Sequence, residues 1–444
     1  NYLYLMFFKS LPTLLIAFCG LVGAAGYGSI EEVVTPGSFA AESFLKDSTE
    51  YESPLSLKGS DWRLAANFFA GGGTVMSEAL ADTVNPRGYL GARLHGYKDS
   101  VDFALNLLFD NFTNRDLKQF KALQYTGHVG YRHDWIQVKL GHEAEHFGPG
   151  VYNNLTFNRS AYAYDRLSVN LDLGPLRVYS FYGSLRVAPW DSDSSFADRD
   201  VYGHRYEVNT ESFTFGISEA TVLYDNNQPW HLVPTVPLFM EKGQFYEASN
   251  NGLIAFDVEY RFLGIGRVYT EFLLDDMESP IRLIANDNVE SKWGWMAGIQ
   301  LDKDLDLFGK GLLVGTVAEY ARVEPFVYTH FYSNTAQHAH AGRPLGNPNG
   351  PNSQVIDWSV YAQFDKRFKA VLHNKWLWKG TDYGSQLNDQ TSNALHTKKS
   401  FLTGAKMQYS LAPYFSYMVD HVSYQLGFRF FNENEAFGNV VVWW

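Results

Sequence analysis

The chain has 444 residues, one cysteine, 19% charged residues and a formal net charge of -12. One cysteine excludes a disulfide framework and a cysteine-based zinc site, and the acidic balance argues against nucleic acid, whose binding needs a basic face. At 45% hydrophobic the chain is too polar for a bundle of membrane helices, yet its 16% aromatic content is high for a soluble protein.

The first element is Met6-Phe7-Phe8-Lys9, followed by the apolar stretch Leu11 to Val22 and the small residues Gly23-Ala24-Ala25-Gly26. A basic start, a short apolar run and a small-residue cleavage zone read as a secretory signal peptide over 1–25, with Asn1 to Leu5 upstream of a start at Met6. The run is too short for a membrane anchor, which needs roughly 20 apolar residues. Cys19 then falls in the removed peptide, and Phe18 before it is bulkier than a lipidation signal usually tolerates. Residues 26–60 lack alternation and are expected to form a periplasmic or plug segment.

From residue 61 to 444 the sequence alternates at period 2. Val101, Phe103, Leu105 and Leu107 alternate with Asp102, Ala104 and Asn106; Ile356, Trp358, Val360 and Phe364 alternate with Asp357, Ser359, Tyr361 and Gln363. Tyr424, Leu426, Phe428 and Phe430 do the same in the last part of the chain. Such segments are strands with one apolar and one polar face. About 18 of them follow one another, each near the length that a tilted membrane strand needs: 61–72, 88–97, 100–110, 123–133, 134–141, 165–173, 175–186, 203–210, 212–223, 251–262, 265–275, 291–302, 311–322, 354–365, 367–378, 400–411, 419–431 and 436–444.

Long connections (73–87, 111–122, 142–164, 187–202, 224–250, 276–290, 323–353, 379–399) alternate with tight turns at Lys98-Asp99, His133-Asp134, Gly174-Pro175, Thr210-Glu211 and Asp365-Lys366. Short turns at one end, long loops at the other and an even strand count predict an all-β fold: a closed antiparallel transmembrane β-barrel of the bacterial outer membrane. Turns are then periplasmic and loops face the cell exterior. The rings gain a place at the two lipid interfaces, with Trp293, Trp295, Trp358, Trp376, Trp378, Tyr179 and Phe181 as candidates. Arg93, His95, Lys139, Arg205, Glu207, Glu259, Arg261, Glu271, Glu319 and Arg429 are expected to point inward, because charge on the lipid face is costly.

His142-Glu143-Ala144-Glu145-His146 spells the zincin motif. That chemistry needs a helix, so that both histidines share a face. Here the run follows a strand and is closed by Gly148-Pro149-Gly150, with no downstream third ligand, so no metal site is expected. Nor is there a phosphate loop, a nucleophile elbow or any defensible Ser-His-acid spacing; no enzymatic activity and no cofactor are expected.

Gly141-His142-Glu143, Phe147-Gly148-Pro149-Gly150, Asn153-Asn154 and Asp165-Arg166-Leu167 together resemble the signature of the capsule assembly Wzi family. His142 stands where that family usually has Arg, and Phe147 where it has Trp. Further matches follow in order to the C-terminal part: His204-Arg205, Ser218-Glu219-Ala220, Trp230-His231-Leu232-Val233-Pro234, Asn250-Asn251, Leu274-Asp275-Asp276, Tyr328-Thr329-His330 and Pro344 to Ser353. The resemblance implies an 18-stranded outer-membrane barrel, occluded rather than open, that binds capsular polysaccharide and helps to organise the capsule without enzymatic activity. It also implies a periplasmic helical bundle, for which residues 27–60 show no helical periodicity.

Sugar recognition uses ring faces for stacking and polar or carboxylate groups for hydroxyls, presented on loops. Loops 142–164 and 323–353 supply the candidates: Glu143, His146, Tyr152, Asn154, Arg159, Tyr164, Tyr328, His330, Arg343 and Asn352. Structural roles compete: loop rigidification for the Gly-Pro stretches, and an ion network inside the barrel for Glu143, Arg159 and Arg166. The expected partners are capsular or other surface polysaccharide, outer-membrane lipids and, through the apolar end Val440 to Trp444, the barrel assembly machinery. A porin or oligosaccharide diffusion channel is the alternative.

Overall fold

The computed structural model describes residues 63–77, 85–110, 123–186, 199–224, 228–235, 238, 250–262, 266–276, 289, 291–307, 309–330, 336–365, 367–389, 398–420, 422–431 and 433–443. The expected signal peptide with Cys19 and the segment 26–60 lie outside these residues, as do the side chains of Arg93 and Arg429.

The strands are β1 (Arg63–Ser77), β2 (Asn85–Lys98), β3 (Val101–Asp110), β4 (Leu123–His133), β5 (Ile136–Glu143), β6 (Tyr164–Leu173), β7 (Leu176–Leu185), β8 (Arg199–Asn209), β9 (Phe213–Tyr224), β10 (Asn250–Phe262), β11 (Gly266–Asp276), β12 (Lys292–Leu307), β13 (Lys310–Val323), the two-residue hairpin β14 (Ala339–His340) and β15 (Arg343–Pro344), then β16 (Ser353–Phe364), β17 (Phe368–Lys379), β18 (Lys406–Val419), β19 (Val422–Phe431) and β20 (Glu433–Trp443). Apart from the hairpin they form one 18-stranded sheet in which sequence neighbours pair antiparallel. β20 also pairs with β1, from Asn67↔Trp443 to Ser77↔Glu433, so the pairings run in a ring.

The turns at one end are held by residues of positive φ: Asp99, Asp134, Gly174, Gly309, Asp365 and Asp420. Asp and Gly tolerate this region, so the sequence supplies tight turns where the ring needs them. At the other end most connections are long, β19 and β20 being joined through one residue.

Among the described side chains, most strands show one apolar row outward. Val101 and Leu105, Ile356 and Trp358, and Tyr424, Leu426 and Phe430 are exposed, as the alternation predicts. Trp295 and Trp358 keep their outward positions, their indole N–H groups bonded to Thr270 and Thr316. Trp376 lies beside Tyr409, ring centroids 5.3 Å apart, and Trp293 is covered by the Arg322 guanidinium.

Tyr179 and Phe181 do not join this belt. Leu176 and Val178 mark the outward row of β7, whereas Tyr179 and Phe181 face inward against Phe147. Period 2 separates two faces but does not say which meets lipid, and β7 is apolar on both. Strand β18 is the other correction: it spans Lys406–Val419, not 400–411. Pro413 interrupts the pattern but stays in the strand. The β18–β19 register passes from Leu411↔Phe430 to Tyr414↔Gly427, leaving the proline, which has no N–H, without a ladder partner there.

Candidate functional site

An 18-stranded ring is wide enough to hold an aqueous channel unless something fills it. Residues 144–163, between β5 and β6, fold into it. Phe147 packs edge-on against Tyr179 and Phe181 of β7 at 5.5 and 5.7 Å. Leu155 and Thr156 reach Glu271 of β11, Val151 to Asn153 reach Glu319 of β13, and the Tyr152 hydroxyl lies 2.6 Å from Ser359 of β16. The Tyr152 ring also stacks on His373 of β17 at 4.9 Å. Only a segment lying across the interior touches walls so far apart.

This segment forms no strand, so its backbone N–H groups need acceptors that a strand ladder would otherwise provide. Inward carboxylates supply them. Glu319 accepts from the N–H groups of Val151, Tyr152 and Asn153, from the Asn153 amide and from the Tyr269 hydroxyl. Glu271 accepts from Leu155 N at 2.9 Å and from both donors of Thr156. Asp357 takes the Asn153 amide at 2.8 Å and lies 2.9 Å from His373. Around them is an apolar core built on the inward rows, including Leu155, Phe157, Leu273, Met296, Val317 and Val355.

A second segment, residues 324–330 and 336–352, lies against the first. The Tyr328 hydroxyl donates to Leu155 O at 2.6 Å, Asn158 N to Leu345 O at 2.7 Å, and Asn347 bonds Asn153. Gly346 faces the Leu155 carbonyl with no room for a Cβ. Arg199, 1% exposed on β8, points its guanidinium at the carbonyls of Arg186, Gln337 and Ala339. Asn352 ties this segment to the β17–β18 connection: its amide donates to Ser385 and Ser400 O, and its carbonyl accepts from Leu402 N.

His338 joins the two segments, its Nε2 lying 2.7 Å from Thr156 O. Burial, opposed by that bond and aided by Arg199, holds its pKa down at about 4 from 6.5. A histidine kept neutral when folded but protonated when released favours release as pH falls. Docking of the two segments is therefore expected to be at full strength above pH 6.5 and to weaken progressively towards pH 4. Protease nicking within 144–163 as a function of pH measures this, and His338→Gln should flatten the dependence.

The wall beside the first segment carries an ion network. His128 of β4 sits between Asp102 and Glu143, at 2.8 and 2.7 Å. Arg166 of β6 bonds Glu143 at 2.7 Å and also Glu145, which accepts from the Tyr179 hydroxyl. Further round, Arg205 pairs with Asp257 and Glu207, and Glu259 with Arg261 and Arg267. Paired inward charges are what a barrel wall flanked by lipid requires.

The zincin-like run is divided by the wall. His142 faces outward with Asp165 at 2.7 Å and Tyr125 stacked at 4.6 Å. His146 turns inward, its Nε2 2.8 Å from the Asn154 amide. Glu143 ends a strand, not a helix. Among the described residues no group of three or more His, Cys, Asp or Glu is placed to hold a metal.

Of the ten sugar-site candidates, Tyr152, Asn154, Tyr164, Tyr328, His330 and Asn352 are buried. Glu143, His146, Arg159 and Arg343 are partly open. Arg343 lies over the Tyr162 ring at 4.2 Å. The structure thus brings loops 142–164 and 323–353 together, mostly by using those residues as internal contacts. Glu271 and Glu319 were expected on the inner wall, and their role as loop anchors is new. For Glu319 the available signal was one acid in an otherwise apolar inward row of Val317, Glu319, Ala321 and Val323. For Arg199, within a stretch read as loop, there was none.

An 18-strand ring with mostly alternating short and long connections is the architecture of an outer-membrane barrel. Wzi from Escherichia coli, described as an outer membrane protein involved in group 1 capsule assembly and a carbohydrate-binding β-barrel, has the same fold. It superposes with a TM-score of 0.60 over 97% of this chain and 96% of that one, at 12% identity. The resemblance drawn from the motifs is therefore matched in three dimensions. The outer membrane protein OpdK of Pseudomonas aeruginosa gives a TM-score of 0.46 at 10% identity, covering 86% of this chain and 96% of that one. OpdO of the same organism gives 0.46 at 8%, with 86% and 96% covered. No family model matches the sequence, and no curated protein does.

Proposed function

We propose that this protein is a non-enzymatic barrel of the bacterial outer membrane that binds and organises capsular or related surface polysaccharide, with its long loops at the cell exterior. The carrying observation is the pair of infolded loops: two loop segments are bonded to the inner wall and to each other, which supports a rigid base for binding. The likeness to a carbohydrate-binding barrel points the same way. At the loop end, Arg343 over Tyr162, with Arg159 and Asn349 partly open nearby in sequence, offers ring faces, amides and positive charge to an acidic glycan. The terminal strand suits recognition by the barrel assembly machinery, and the exposed apolar belt suits lipid.

A diffusion channel is the second reading, and one observation favours it: His95, at an inward register position on β2, is exposed, so part of the interior is reached by solvent. Planar-bilayer recording separates the two. The polysaccharide reading expects no large steady current, together with saturable binding of the cell's own surface polysaccharide by the purified protein. Large steady currents without glycan binding would reverse it. A deletion strain should shed capsule into the medium; full retention would remove the capsule role.

A further inference from the structure

The outward face of β8 and β9 departs from the apolar belt. Along β9, Phe213, Phe215 and Ile217 are exposed, and then Glu219 and Thr221 follow on the same face. Beside them stand His204 and Tyr206 of β8 and Ser180 of β7. Polar groups there are costly against hydrocarbon. Yet His204 and Glu219 are 0% and 7% exposed, where Phe215 is 48%.

The chain itself provides the cover. Residues 228–235 and Leu238, from the β9–β10 connection, lie back along the outside of the ring and include a 3-10 turn at Pro229–Leu232. Four outward side chains fasten this strap. Ser180 and Tyr206 donate to the carbonyls of Leu232 and Pro234, His204 Nε2 lies 2.8 Å from His231 O, and Glu219 accepts from Leu238 N at 3.2 Å. The His231 ring packs edge-on against Tyr202 at 5.3 Å.

Between strap and wall is a half-open apolar cavity of about 260 Å³, lined by Val169, Leu171 and Val178 of the wall and by Leu232 and Val233 of the strap, with two prolines. Its one lining hydroxyl, Ser180, is already bonded to Leu232 O. Water needs two to four polar partners to settle in such a space, and this lining offers none to spare. Leu173 and Leu176, next on the same outward rows, are exposed, so the cavity wall continues into the belt.

We propose that this cavity holds one fatty acyl chain of an adjoining membrane lipid, clamped by the strap against the barrel wall. The proposal rests on the outer-membrane reading above. A hydrocarbon chain is thin, apolar and already present in the medium that wets Leu173 and Leu176; a second copy of the protein would have to insert a narrow apolar rod.

The test uses the full chain in dioleoylphosphatidylcholine vesicles containing a small fraction of the same lipid with a photoreactive diazirine in one acyl chain. Adducts are mapped by peptide mass spectrometry. Adducts are expected on the belt peptide Phe256 to Tyr260 and on the strap peptide carrying Leu232 and Val233. Val178→Trp, which fills the cavity, should abolish strap labelling and leave the belt labelled; Val178→Phe serves if the larger ring blocks assembly. Belt labelling with an unlabelled strap, or strap labelling unchanged by filling, overturns the acyl-chain site and leaves the membrane reading intact. No adducts on the belt overturns both. Crosslinks joining two copies through the strap, in place of lipid adducts, assign the cavity to a protein partner and overturn the proposal.

Discussion

Glu319→Leu is expected to convert an occluded barrel into a conducting one. Glu319 accepts three consecutive backbone N–H groups, from Val151, Tyr152 and Asn153, as well as the Asn153 amide and the Tyr269 hydroxyl. A leucine of similar size leaves these donors buried without an acceptor, at about 1–3 kcal/mol each. The β13 ladder does not depend on this side chain, so the strand ring should persist while residues 144–163 leave their seat. Steady single-channel currents and protease nicking within that segment are the measurements. Glu319→Gln keeps one acceptor oxygen and should show a smaller effect of the same kind. A silent, protease-resistant Glu319→Leu would mean that Glu271, Asp357 and the apolar contacts of Phe147, Leu155 and Phe157 hold the segment without Glu319. Loss of glycan binding together with the appearance of current would tie recognition to the seated loops.

Arg166→Met is expected to produce the largest loss of stability in the barrel wall. Arg166 lies between Glu143 and Glu145, and both carboxylates are mostly shielded from solvent. Removing one partner of a buried pair costs about 3–5 kcal/mol, because the remaining charge is uncompensated. The readout is the temperature at which the protein loses its folded electrophoretic mobility in detergent, which should fall clearly below that of the parent. Adding Glu145→Gln should recover part of the loss, since it removes one stranded charge; a double variant no more stable than Arg166→Met would place the effect in packing. Arg166→Lys should lie between, because an ammonium lacks the fork that bonds Glu143 and Glu145 at once.

The barrel was readable because two of its constraints act locally. Alternation is enforced within each strand, and Asp99, Asp134, Gly174 and Asp365 mark turns with residues that accept positive φ. All 18 ring strands therefore overlap their expected positions, with Pro413 causing the main displacement. What the loops do is set by partners far away in sequence. Asn153 meets Glu319 and Asp357, and Tyr328 meets Leu155, only once the ring exists. The same infolding makes the inward faces of β7 and β13 mostly apolar, which removes the polar-in signal that would have oriented Tyr179 and Phe181. His204, Glu219 and the stretch Trp230 to Pro234 carried the family resemblance as separate fragments; in space they are one clasp.

The seam between β1 and β20 bears on how such a molecule can be made at all. Asn67 hydrogen-bonds alongside Trp443, so the first strand of the ring must wait for the last before its outer edge is satisfied. Until then two strand edges stand open, each a template for pairing with another chain. Shortening the protein by its final strand would therefore not leave a slightly smaller barrel. It would leave β1 and β19 facing a gap, with aggregation as the competing outcome. A cell that makes this protein needs a means of escorting the unfinished sheet until the seam is sewn.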